Sequence, residues 1–274
     1  MNAGRPLTAA GRWLRERPVA GSILLAVASV LVLNGVSWLF SLLPPYVAVA
    51  YANEAAGILW PLAVVLYLGY GWTLTRGKFF RTLACGMFWL VLQTIAFFGM
   101  AITVTEEPGF QWSPPVMIVL GILTMFGVGF REEALFRGVI ANAIGCRFGK
   151  DARGVWKSVV LSGLIFGLMH ISNLFHGVNL VAVLVQCVTA SALGMVLTAV
   201  YYRGGSLWAL VFLHALTDSA SMFRSNFTEL ATDLDDINQL SPLSLILIPV
   251  FFLLLLFLLR KKKMGEILDH LQEP

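Results

Sequence analysis

Residues 114–145 read PPVMIVLGILTMFGVGFREEALFRGVIANAIG, and this stretch decides the fold. It exceeds the roughly 20 mostly apolar residues that an α-helix needs to cross the hydrocarbon of a bilayer. Yet it carries Arg131, Glu132, Glu133 and Arg137 in its interior. The rest of the chain is of the same kind. Its 274 residues are 58% hydrophobic and only 12% charged, and mean hydropathy is +0.81. Soluble domains run at about 45–50% apolar and about 25% charged. A soluble enzyme, a disordered chain and a disulfide-stapled secreted domain are therefore excluded. The composition specifies an all-α, polytopic transmembrane bundle.

Working outward, eight apolar stretches are predicted as spans, at 19–43, 55–74, 80–104, 114–145, 155–173, 178–202, 205–223 and 241–259. The connections alternate in charge. Basic residues collect before the first stretch (Arg5, Arg12, Arg15, Arg17), at Arg76/Lys78/Arg81, at Arg147/Lys150/Arg153/Lys157, at Arg203, and after the last stretch at Arg260–Lys263. The intervening connections carry Glu54, Glu106/Glu107, an uncharged segment around His176, and Glu229/Asp233/Asp235/Asp236. By the positive-inside rule both termini are expected in the cytoplasm, most simply at a bacterial cytoplasmic membrane. The formal charge of +4 thus belongs to membrane boundaries and anionic lipid, not to nucleic acid.

The first stretch is preceded by basic residues and followed by Ala48-Val49-Ala50, but its apolar run is too long for a signal peptide. It is expected to remain as an anchor. Cys85, Cys146 and Cys187 are scattered and odd in number, so they frame neither a disulfide set nor a thiolate metal site. No repeat or linker divides the chain, and residues 1–274 are expected to form one membrane domain.

An ionisable side chain within a bilayer is costly and needs a partner or a purpose. Within the predicted spans these are Arg131, Glu132, Glu133, Arg137, His170, His214 and Asp218, confined to spans four, five and seven. Counted from the basic ends at about 1.5 Å per residue, Glu132, His170, His214 and Asp218 all lie roughly 15–20 Å deep. Glu133 and Arg137 are four apart, on one helical face and in the favourable order for an ion pair. Glu132, about 100° around the helix, faces elsewhere, and a partly desolvated carboxylate is a candidate general base. His214 and Asp218 also share a face, so the carboxylate can orient the imidazole. Phe166 sits one turn from His170. One Glu and two His can activate water and stabilise an oxyanion, as peptide hydrolysis requires.

Each feature alone has a plainer reading. A Glu–Arg pair can simply glue helices together, and a lone buried His is more often a packed residue than a catalyst. Asn34, Gln93 and Gln186 read as interhelical hydrogen-bond formers. The conjunction is what points to chemistry. His-Glu-x-x-His, Gly-x-Ser-x-Gly, and Gly-x-Gly-x-x-Gly or Walker-type loops are all absent, which removes the zincin, serine-elbow and nucleotide readings. Two rivals remain at this level: a non-enzymatic immunity or scaffold protein, and a proton-coupled transporter. The lack of an internal repeat weakens the second.

Glu132-Glu133-x-x-x-Arg137, Phe166-x-x-x-His170 and His214-x-x-x-Asp218 resemble, in order, three motifs of the CAAX-protease and bacteriocin-processing (CPBP, or Abi) family of intramembrane proteases. The resemblance covers about residues 115–225. It implies a glutamate-type endopeptidase acting on a peptide or protein substrate, lipid-anchored or membrane-spanning, with no nucleotide. Glu132 would activate water with help from His170, His214 and Asp218 would support the oxyanion, and Glu133, Arg137 and Phe166 would order the site. It leaves two forms of the chemistry open, one with no cofactor and one with zinc on the same Glu and His residues. Asp218 resembles the bacterial branch, since prenyl-protein proteases of the family often carry Asn there. An ionised Asp repels an oxyanion where Asn can donate to it, so Asp218 would be protonated or would orient His214. The cavity is expected among spans four, five and seven.

Overall fold

The computed structural model describes residues 7–44, 46–240 and 242–272; Arg5 of the N-terminal basic cluster and Ser241 of the eighth stretch lie outside them. The described residues hold fourteen α-helices and no strand. An amphipathic α1 (Ala9–Glu16) leads into α2 (Pro18–Ser41) and α3 (Val47–Leu68). The short α4 (Phe79–Cys85) precedes α5 (Met87–Val104), and α6 (Pro115–Leu135) runs through a π-helical turn, Phe136–Ala141, into α7 (Asn142–Phe148). After α8 (Ala152–Leu168) a 3₁₀ segment, Met169–His176, leads to α9 (Leu180–Gly204) and α10 (Leu207–Ser221). Two short helices, α11 (Phe223–Phe227) and α12 (Asp233–Asn238), connect to α13 (Ile248–Leu258) and α14 (Lys261–Gln272).

Six runs are long and apolar enough to cross a membrane: Pro18–Ser41, Val49–Leu68, Met87–Val104, Pro115–Phe148, Ala152–His176 and Leu180–Gly204. The pair Ser244–Leu258 and Lys261–Leu271, bent by 76°, makes a seventh if taken as one span. The protein is an integral, multi-pass membrane protein with six or seven candidate spans among the described residues, where the sequence predicts about eight. The difference lies at the predicted seventh span. There α10 has only 15 residues, about 22 Å at the helical rise, short of the roughly 30 Å of hydrocarbon. Leu207, Leu210, Val211 and Leu213 of α10 are buried by neighbouring helices, so α10 need not match the lipid thickness.

The second span is also displaced. Its helix, α3, starts at Val47 rather than 55, which draws Glu54 into the helix, and is capped by Gly69, whose left-handed backbone (φ 86°) lets Tyr70 N–H bond back to the Val65 carbonyl. α2 and α5 present Leu24, Leu31, Trp38, Ile95 and Phe98 outward, as lipid-facing helices do. One buried cluster sits between α3, α6 and α8, around Val65, Ala134, Val139 and Phe166. A second lies under α9, α10, α13 and α14, around Tyr201, Leu210, Leu255 and Ile267.

Two close helix approaches set the site. A Cβ added at Gly129 would lie 2.9 Å from the Val211 carbonyl, so glycine lets α6 touch α10. On α8, Gly163 and Gly167 are four apart and press against Ser191, Met195 and the Cys187 carbonyl of α9, the small-residue packing of membrane helices. α9 and α10 are joined through Gly205 (φ 82°), after which Ser206 caps α10 by accepting from Ala209 N–H.

Candidate active site

The π-helical turn at Phe136–Ala141 follows directly on Glu132 and Glu133. Such turns leave backbone carbonyls without their ordinary helical partners. Here Asn142 compensates: its Nδ2 donates to the carbonyls of Arg137 (2.7 Å) and Gly138 (3.1 Å) and to Tyr201 Oη (3.1 Å). Tyr202 Oη donates to the Ala141 carbonyl at 2.6 Å. The distortion is thereby fixed in place, and with it the direction of Arg137.

Arg137 and Glu133 are both fully buried and pair at 2.7 Å. Arg137 Nη2 donates to the Gly194 carbonyl at 3.2 Å, and its guanidinium lies 4.4 Å over the Phe166 ring. The same ring meets His170 edge-on at 5.3 Å and His214 at 5.9 Å. Phe166 therefore separates and spaces the two imidazoles.

His214 Nδ1 is 2.7 Å from Glu133 Oε1. A carboxylate accepts, so this contact puts the proton on Nδ1. The other nitrogen, Nε2, lies 3.5 Å from Glu132 Oε2 and 3.6 Å from Asp218 Oδ2. The orienting carboxylate is thus Glu133, from another helix, and not Asp218 one turn away on the same helix. The reason is reach: the close approach at Gly129 sets Glu133 nearer to Nδ1 than the helical spacing sets Asp218 to either nitrogen. Nε2 thus faces two carboxylates, neither of them at hydrogen-bond geometry. Glu132 Oε2 is buried here without a hydrogen-bond donor of good geometry.

Glu132 lines a cavity of about 320 Å³. The walls come from Asn34 on α2, Asn53 and Glu54 on α3, Arg131 and Glu132 on α6, and His170 beyond the end of α8. The cavity lies among spans one, two, four and five, not four, five and seven. Span seven contributes His214 from behind Glu132, and neither His214 nor Asp218 reaches the cavity wall. Asp218 is therefore not placed to touch an oxyanion formed there. His170 Nδ1 is 3.2 Å from the Phe166 carbonyl. A carbonyl also only accepts, so Nδ1 carries the proton and Nε2 is the free nitrogen.

The polar wall formed by α2 and α3 was not visible in the motifs. Glu54 pairs with Arg131 at 3.8 Å, and Ser37 Oγ donates to Asn53 Oδ1 at 3.2 Å. Asn34 bonds within its own helix, to the Val30 carbonyl, rather than between helices, while Gln186 does accept from Asn173 of the 3₁₀ segment at 2.7 Å. Among the described residues, no three His, Cys, Asp or Glu side chains are grouped to hold a metal ion. His214 turns Nδ1 to Glu133, and His170 turns Nδ1 to a carbonyl. Both imidazoles thus keep Nε2 free, the nitrogen by which a histidine so held could ligate a metal.

Glu132 and His170 thus line one cavity between membrane helices, with His214 behind Glu132. Residues 113–220, the segment that carries all three motifs, match the family model of type II CAAX prenyl endopeptidase Rce1-like proteins. The match supports CAAX-type endopeptidase activity in general terms. No curated protein and no solved structure matches the chain.

Proposed function

We propose that the protein hydrolyses a peptide bond of a membrane-associated protein or peptide, with Glu132 as the base that activates water. The observation that carries this reading is the position of Glu132. Its carboxylate lines the cavity and lies 3.5 Å from His214, the end of the buried chain of Gly194, Arg137, Glu133 and His214.

In this scheme a proton sits on His214 Nε2 in the resting site, which leaves Glu132 ionised. A water in the cavity donates one hydrogen to Glu132 and the other to His170 Nε2, which turns its lone pair toward the substrate carbonyl. The oxygen attacks the carbonyl carbon while Glu132 takes the proton. The carbonyl π bond becomes an oxyanion. On collapse the C–N bond breaks, and the proton held by Glu132 passes to the leaving nitrogen. Correctly held acid–base groups of this kind contribute roughly 10²–10⁴-fold each.

Glu133 and Arg137 act as positioning residues through His214, and Phe166 sets the spacing of the rings. Asp218 also faces Nε2. No metal is needed for any step. The substrate is lipid-anchored or membrane-spanning, and the setting that this reading assigns is a bacterial cytoplasmic membrane.

The test compares membrane peptides from cells carrying the wild-type protein with those from cells carrying Glu132→Ala. A substrate that accumulates uncut in the variant, with its fragments confined to the wild type, supports the reading. Identical peptide sets from both, at equal protein levels, would overturn it.

A further inference from the structure

Away from the candidate site, a strongly cationic concavity lies where α1 meets the end of α7. It is an open cavity of about 590 Å³ bounded by Leu7, Arg12, Arg15, Glu16, Cys146 and Arg147. Three guanidinium groups face one carboxylate. Among the described residues, none of the three arginines has a carboxylate within ion-pair distance.

Their present partners are weak. Arg12 donates to the Leu7 carbonyl at 2.8 Å, and Arg15 Nη2 points to Cys146 Sγ at 3.4 Å, a poor acceptor. Arg15 Nε is buried with no acceptor. Tyr70, fully buried nearby, does not supply the missing anion, because burial pushes its phenol up to about 12.

The position of the cavity is informative. Arg12 and Arg15 immediately precede the first long apolar run, Pro18–Ser41, and Arg147 closes the run Pro115–Phe148. Both ends mark the level at which a bilayer gives way to its headgroups. Guanidinium groups match phosphate oxygens in geometry and charge, often two bonds at a time, and anionic leaflets concentrate such groups at this level.

We propose that this cavity is a binding site for a phosphate group, held by Arg12, Arg15 and Arg147 and presented by an anionic glycerophospholipid or as free phosphate. The site ties α1 to the end of the helix that carries Glu132 and Glu133. It does not depend on the proposed hydrolysis.

Calorimetric titration of the full-length protein in phosphatidylcholine nanodiscs tests it, with dihexanoyl phosphatidylglycerol, dihexanoyl phosphatidylcholine and inorganic phosphate as probes. The expected result is saturable one-to-one binding of phosphatidylglycerol or of phosphate, and none of phosphatidylcholine. Tighter binding of the lipid identifies the bilayer as the source, and equal or tighter binding of inorganic phosphate identifies free phosphate. Arg15→Gln and Arg147→Gln each weaken binding about tenfold or more, the worth of a charged hydrogen bond, while Arg15→Lys keeps part of it. The exposed tail variant Lys261→Gln/Lys262→Gln leaves it unchanged. Arg147 is exposed, so its replacement does not threaten folding. Absent binding, undiminished affinity in the Arg147 variant, or an equal loss in the tail variant would overturn the proposal.

Discussion

His214 Nδ1 bonds to Glu133 Oε1 at 2.7 Å, joining α10 to α6 across 81 residues of sequence, while Asp218 lies 3.6 Å from the opposite nitrogen. The two carboxylates should therefore differ in importance. Glu133→Gln removes a charged hydrogen bond, and cleavage of the identified substrate falls roughly 10- to 100-fold. Asp218→Asn still offers a polar group to Nε2, and the loss stays under about tenfold. Initial rates of the two variants at matched expression check the order; a reversed order would return the orienting role to Asp218.

The Glu133–Arg137 pair is buried without exposure on either side. Removing one partner strands a charge, so Arg137→Met should destabilise the protein by about 3–5 kcal/mol. In the double variant Glu133→Leu/Arg137→Met no charge is stranded, and much of that stability should return. Activity should not return, because His214 has lost its acceptor. Thermal unfolding in detergent, paired with the cleavage assay, separates the two effects.

A methyl group at Gly167 would strike Ser191 Oγ and the Cys187 carbonyl, whereas Gly99 on α5 has open space around it. Gly167→Ala should cost about 1–3 kcal/mol through overpacking and lower activity by moving Phe166 and His170. Gly99→Ala should be neutral or slightly stabilising, as alanine in a helix is favoured over glycine. Unfolding midpoints of the two variants would decide it.

The proposed steps use no metal, and among the described residues no three His, Cys, Asp or Glu side chains are grouped to hold one, so a membrane-permeant chelator should leave cleavage unchanged. Loss of activity that zinc restores would contradict the water-activation scheme and favour a metal-bound one.

Local relationships were legible in the sequence, and relationships between helices were not. The i, i+4 spacing of Glu133 and Arg137 and of Phe166 and His170 translates directly into the observed contacts. Depth counting from the basic ends brought Glu132 and His214 to one level, and they lie 3.5 Å apart. The partner of His214 was hidden, because no spacing rule connects residues 133 and 214. Glu54 is charged and therefore reads as part of a connection. Its ion-pair partner, Arg131, is 77 positions away, and no local pattern signals that the helix continues through Glu54. The cavity wall on α2 and α3 rests on Asn34 and Asn53, which carry no motif. Asn142 was equally silent, since its role exists only once the helix is distorted. By contrast, Met264, Ile267, Leu268 and Leu271 have helical spacing in the charged tail, a pattern that foretells the packed α14 but was overshadowed by the lysines beside it.

The central claim is that Glu132 moves the proton of an attacking water. Cleavage in membranes suspended in H₂¹⁸O reads this directly by mass spectrometry of the new C-terminal fragment ends. The wild type should place one ¹⁸O in each newly formed carboxylate, and Glu132→Gln should yield no labelled product above background. Labelled product formed at the wild-type rate by the Glu132→Gln protein would contradict the account.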